Sequence, residues 1–328
     1  MNHRRPHQRL RALIAALVAA TALGAAGTTA LAGPADTTDP AGTTVPREAA
    51  AAKPKVWVVS DLSRPGGGTD RDDIVALAAM TSYREQLRVR RVVVGSTTVG
   101  IDCDAALDYA KEASAGKFGR RVVKASTCAD PEGFTTCDDR NPWVDNPPAT
   151  VRALVRAIRA GGLTVLNWGP MTETAGAVCW LEKNAPADLS EVTVVSHWTD
   201  TSPGYDHSYN CNKDASACAY LHRAAARPDH RIRLVELGAA GQKFVDRAND
   251  ECGADTSVPD TGLGRYLNTT KDTGTPDLSD GATFLVPLLG GLGGYETDGT
   301  DNRNFTRAYR SLCDAAPGIF DHLRAHLT

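Results

Sequence analysis

Residues 56–80 read VWVVSDLSRPGGGTDRDDIVALAAM, and this stretch decides the fold. The β-branched run over 56–60 predicts a buried strand, Gly66, Gly67 and Gly68 break it into a loop, and the apolar spacing that follows predicts a helix over 72–83. Asp61 then sits where the strand meets the loop, and Asp70, Asp72 and Asp73 open the helix. In an open α/β sheet, ligands bind outside the carboxyl ends of the strands, so these acids belong to the floor of a site. Carboxylates gathered there call for a cation. The loop is no phosphate cradle, because Gly68 is followed by Thr69-Asp70 and not by the Lys and Ser or Thr of a P-loop. Hard oxygen ligands without adjacent His or Cys suit Ca²⁺ or Mg²⁺ better than zinc. The plainer alternative makes Asp70 a helix cap and leaves Asp72 and Asp73 to complement the helix dipole. It does not account for Asp61.

The ends of the chain differ in character. Residues 1–32 carry Arg4, Arg5, Arg9 and Arg11 ahead of an apolar stretch that begins at Ala12, then Ala30-Leu31-Ala32 as a cleavage signature, so they read as a secretory signal peptide. Residues 33–53 are rich in Ala, Thr and Pro and read as a flexible linker, leaving 54–328 as a single folded domain. No later segment offers the roughly 18 unbroken apolar residues of a membrane span. Of the 36 basic residues four fall in the leader, so 32 face 39 acidic ones in the exported chain, which argues against a nucleic-acid polymer as partner. Eight cysteines without CxxC spacing, behind a leader, favour up to four disulfides. Spacing leaves the pairing open, although Cys128 with Cys137 and Cys211 with Cys218 are close enough to close short local loops.

Strand-like runs recur at 56–60, 89–96, 164–168, 192–197 and 231–237, with helical patterns at 72–83, 104–115, 149–160, 171–183 and 214–225. This alternation predicts an α/β fold with a doubly wound, mostly parallel sheet flanked by helices. After Leu237 the pattern weakens, and 250–281 is polar before the apolar run from Ala282 to Leu289. A long polar stretch in a folded domain is usually functional surface or a lid. Asp280, at its end, is placed to reach back to the acidic cluster.

Four separated motifs, together spanning most of residues 55–295, resemble the inosine/uridine-preferring nucleoside hydrolase superfamily, in particular its divergent secreted nucleoside-hydrolase-like branch. Asp61 and Asp72-Asp73 match the opening Asp and Asp-Asp, with a longer loop between them. Trp168-Gly169-Pro170-Met171-Thr172-Glu173 matches a Gly-Pro-Leu-Thr-Asn turn after a central strand. Ser208-Tyr209-Asn210, with Asp214 and Ala217, matches a Glu-Phe-Asn block, and Ser279-Asp280 matches a closing His-Asp. The resemblance implies Ca²⁺ held by Asp61, Asp73, Asp280 and the backbone carbonyl of Trp168, sugar hydroxyls bound by Asp72 and Asn210, and Asp61 as the base that takes a proton from the attacking water. It implies a nucleoside or sugar conjugate as the small-molecule partner.

Two departures stand out. The leaving-group His is Ser279 here, and a hydroxyl does not supply a proton near neutral pH as imidazole does. The sugar-binding Glu is Ser208, which removes a charge-assisted hydrogen bond worth about 1.5–3 kcal/mol. His197, His207 and Asp200 lie in or near the third motif and are candidates for the missing acid, and Trp168 and Trp198 are candidate stacking surfaces. Two functions remain: a secreted Ca²⁺-dependent hydrolase of N-glycosidic or related glycosidic bonds, or a non-catalytic extracellular nucleoside- or sugar-binding protein that kept the metal site. A metal-dependent esterase or phosphatase lacks both a G-x-S-x-G elbow and a His-rich metal set.

Overall fold

Strand β1 (Lys55–Arg64) runs through the middle of the sheet with eight of its ten residues buried, as a strand covered on both faces requires. The computed structural model describes residues 52–128, 134–138, 140–189, 191–200, 208–229, 231–268, 275–291 and 305–328. The expected leader, nearly all of the linker, and His207 lie outside the described residues. Beside β1 lie β3 (Arg88–Ser96) and β5 (Leu163–Asn167), both parallel to it. β4 (Val122–Lys124) continues the sheet beyond β3, and β6 (Val192–Ser196) and β7 (Ile232–Glu236) continue it beyond β5. The order β4-β3-β1-β5-β6-β7 is parallel throughout, and only the two-residue β2 (Gly68–Thr69) pairs antiparallel, with the end of β1. The chain winds outward from β1, returns, and winds outward on the other side, so the predicted doubly wound α/β fold is the one observed. Its topological switch point falls between β1 and β5, the place where open α/β sheets take their ligands.

The predicted helices form with ends shifted by a residue or two. They are α1 (Arg71–Ser82), α2 (Asp104–Ala113), α4 (Ala149–Arg159), α5 (Thr172–Asn184) and α7 (Ala215–Ala225). Unpredicted are the short α3 (Pro142–Asp145), α6 (Tyr209–Lys213), α9 (Gly264–Leu267) and α10 (Ala282–Leu288), and the longer α8 (Gly238–Arg247) and α11 (Phe305–His326), which pack on each other. One strand end needs correcting. β1 does not stop at residue 60 but carries on to Arg64 because β2 turns back and pairs Ser63 with Thr69 and Arg64 with Gly68, so Asp61 lies inside the strand. Glycines at φ 80° and 81°, Gly66 and Gly67, make that reversal possible.

All eight cysteines are paired: Cys103–Cys128, Cys137–Cys179, Cys211–Cys218 and Cys252–Cys313. The short local loop between Cys211 and Cys218 exists, but the one between Cys128 and Cys137 does not. Cys128, just past β4, lies against the start of α2 and meets Cys103, while Cys137 is pinned to α5. Among the described residues no helix is long and apolar enough to cross a membrane.

Candidate metal centre

The carboxyl end of β1 and the starts of α1 and α10 come together at the switch point. β1 brings Asp61, the first turn of α1 brings Asp72 and Asp73, and Asp280 stands just before α10. Asp61, Asp73 and Asp280 are only 3%, 1% and 2% exposed. Carboxylate oxygens of Asp72, Asp73 and Asp280 lie within 4.8 Å of one another, and so do those of Asp61, Asp70 and Asp73. Both oxygens of Asp73 and Oδ1 of Asp280 are buried and meet no hydrogen-bond donor among the described residues. Buried acceptors left this way cost more than a kcal/mol each, and charged ones far more.

Electrostatics register the same strain. Burial, then the neighbouring Asp72, pushes the Asp61 carboxyl up from 3.8 to about 7, while the Arg64 guanidinium pulls the other way. Burial, and after it the surrounding carboxylates, also holds Asp73 and Asp280 well above the usual carboxylate range. For Asp61 the folded value is the raised one, so its contribution to the stability of metal-free protein is fully present below 3.8 and is lost as pH rises through about 7. Metal-free protein should therefore unfold at a lower temperature at about pH 8 than at about pH 5, with a smaller drop in Asp61→Asn, which has no such proton to lose. Equal drops in the two proteins would contradict this.

Trp168 follows directly on the end of β5. The Trp168 amide donates to Val59 O at 2.8 Å and its indole N–H to Thr283 Oγ1 at 2.7 Å, fixing the turn to β1 and to α10. With its ring buried and bonded in this way, Trp168 is a structural anchor and offers no stacking face. Gly169 follows because nothing larger fits: a Cβ there would lie 2.5 Å from the Asp61 Cβ and 2.7 Å from its Cγ. Gly169→Ala should displace the Asp61 carboxylate and weaken divalent-cation binding by about tenfold or more, a shift of at least 1.4 kcal/mol readable by titration calorimetry. Unchanged affinity would mean that Asp61 is not a ligand.

Asn210, on α6, donates through Nδ2 to Trp168 O at 2.8 Å and to His197 O at 3.0 Å. Its Oδ1 is buried and meets no donor among the described residues. Asp214, by contrast, caps α7 through Ala217 N and accepts from Thr172 Oγ1 at 2.7 Å, so it ties the second motif to the third. Glu173 likewise faces away from the acids, accepting from Thr150 Oγ1 at 2.6 Å and Ser126 N at 3.0 Å.

Ser279 is fully buried and donates to Asp277 Oδ1 at 2.9 Å. His197, at the carboxyl end of β6, is buried with its ring edge-on to Trp198. Asp200 is buried near His222, whose charged form burial opposes but the Glu236 carboxylate, 2.8 Å from Nε2, favours more, raising its pKa.

Sequence reasoning missed the partners of Asp70. At the head of α1, Asp70 makes no side-chain cap; it forms an ion pair with Arg64, whose Nη1 donates to Tyr209 OH at 3.1 Å. The signal was present: a Pro-Gly-Gly-Gly turn between Arg64 and Thr69-Asp70 is a hairpin pattern that sets those two side chains at its base. No protein-family model and no curated protein matches this sequence.

Proposed function

We propose that the protein is an exported hydrolase of N-glycosidic or related glycosidic bonds that depends on a divalent cation, Ca²⁺ by the chemistry of its donors. The observation that carries this reading is the set of buried carboxylate oxygens on Asp73 and Asp280 with no donor among the described residues, gathered with those of Asp61, Asp70 and Asp72 at the carboxyl end of β1. The motif resemblance to the nucleoside hydrolase superfamily agrees with that geometry. Four disulfides fit an oxidising, extracellular setting.

Asp61, Asp73, Asp280 and the Trp168 carbonyl would hold the ion, which when bound polarises a water and makes it a better nucleophile. Asp61 accepts that water's proton as its oxygen bonds to the anomeric carbon, and the glycosidic bond breaks with its electron pair leaving on the departing group. Asp72 and the Asn210 Oδ1 accept hydrogen bonds from the sugar hydroxyls. The concentration of carboxylates favours the positive charge that develops on the ring. Ser279 is committed to Asp277 and donates no proton to the leaving group. Substrates with stable anionic leaving groups are therefore favoured.

That same commitment of Ser279 favours a second reading, a binding protein for nucleosides or sugars. A screen of Ca²⁺-loaded protein over nucleosides and aryl glycosides of graded leaving-group acidity separates the two. The hydrolase reading expects rates that rise with leaving-group acidity; binding of the same compounds without turnover would establish the alternative.

A further inference from the structure

The acidic cluster contains two overlapping groups of three carboxylates, Asp72/Asp73/Asp280 and Asp61/Asp70/Asp73, and in the second the Arg64 guanidinium pairs with Asp70. We infer that Arg64 is a built-in second cation of this cluster, its guanidinium occupying an outer site that would otherwise take a divalent metal ion. The inference rests on the cation reading above.

Asp73 belongs to both groups, is 1% exposed, and has two oxygens without a donor, so it can serve an ion on either side. Asp70 belongs only to the outer group, and it is paired with Arg64. The guanidinium is held from both flanks of the mouth. Its Nη2 bonds Asp70 at the head of α1, and its Nη1 reaches Tyr209 OH on α6, beside Asn210. A planar fork with two donors set apart makes both contacts at once; a lysine ammonium is a compact point charge. The hairpin carries the pair as a unit: Arg64 is in register with Gly68, and the Asp70 amide donates to Leu62 O at 2.8 Å.

Metal stoichiometry tests this without reference to turnover. Metal-free protein is titrated with Ca²⁺ alone by calorimetry and assayed by elemental analysis after gel filtration. Wild type should bind one Ca²⁺ per chain. Arg64→Gln and Arg64→Met should each bind two, either variant serving if the other does not fold, and Arg64→Gln combined with Asp70→Asn should return to one. A single Ca²⁺ in the folded Arg64 variants, at an affinity within about threefold of wild type, overturns the assignment of Arg64 alone. Failure of wild type to bind Ca²⁺ overturns the cation reading and this assignment with it.

Discussion

Asp61→Asn is expected to abolish hydrolysis while leaving the fold in place, whereas Ser279→Ala should change the rate by no more than a few-fold. Asp61 is assigned two tasks, holding the ion and taking the proton of the attacking water, and asparagine keeps its shape but neither its charge nor its basicity. Loss of the general base alone typically lowers the rate by about 10²- to 10⁴-fold, and a weakened cation adds to that. The buried position makes the amide tolerable to the fold: Asp61 packs against Gly169, where size and not charge is critical. Ser279 donates to Asp277 and touches none of the reacting groups in this account. Steady-state rates on any cleaved aryl glycoside, with circular dichroism as the check on folding, decide the matter. Equal losses in the two variants would mean that Ser279, or the Asp277 it binds, takes part in leaving-group departure.

Asp73→Asn should invert with conditions. Without metal, wild type must bury a carboxyl whose two oxygens find no donor beside Asp61 and Asp280, and the amide removes that charge from the cluster. The variant should then unfold at a higher temperature than wild type at about pH 8, where the carboxylates are most strongly driven to ionise. With Ca²⁺ at about a hundred times the dissociation constant, wild type gains about 2.7 kcal/mol from binding, and a variant lacking the shared ligand gains little. The order of the two melting temperatures should therefore reverse on adding Ca²⁺. A variant less stable than wild type in both conditions would assign Asp73 an ordinary structural role at the start of α1.

The frame of this molecule was legible because its inner strands are buried on both faces and so appear as unbroken β-branched runs: 56–60, 164–168 and 192–197 all mark real strands. The edge was not. β4 has three residues, too few for any period to show. Helix α8 escaped because Gly238 and Gly241 read as loop, yet Gly241 is there for close packing: a Cβ would come within 3.3 Å of Ala282 Cβ and of Ser279 O. Asp61, Asp72 and Asp73 could be read from strand, loop and helix order. Asp280, 207 residues beyond Asp73, was singled out by its place between the polar stretch and the apolar run, and the motif resemblance then set it beside the other acids, since no local pattern carries a contact across that separation. The ion pair between Arg64 and Asp70 had only the Pro-Gly-Gly-Gly turn to signal it: β1 runs past the last β-branched residue, and pairing with β2, not side-chain preference, keeps it extended.

The most direct test of the central claim is calorimetric titration of metal-free wild-type protein with Ca²⁺, followed by elemental analysis of the recovered protein. The account predicts one Ca²⁺ per chain, with binding that weakens as pH falls through about 7 because Asp61 must give up its proton to become a ligand. Absence of binding at about millimolar Ca²⁺, at or beyond the weakest range of extracellular calcium sites, would contradict it.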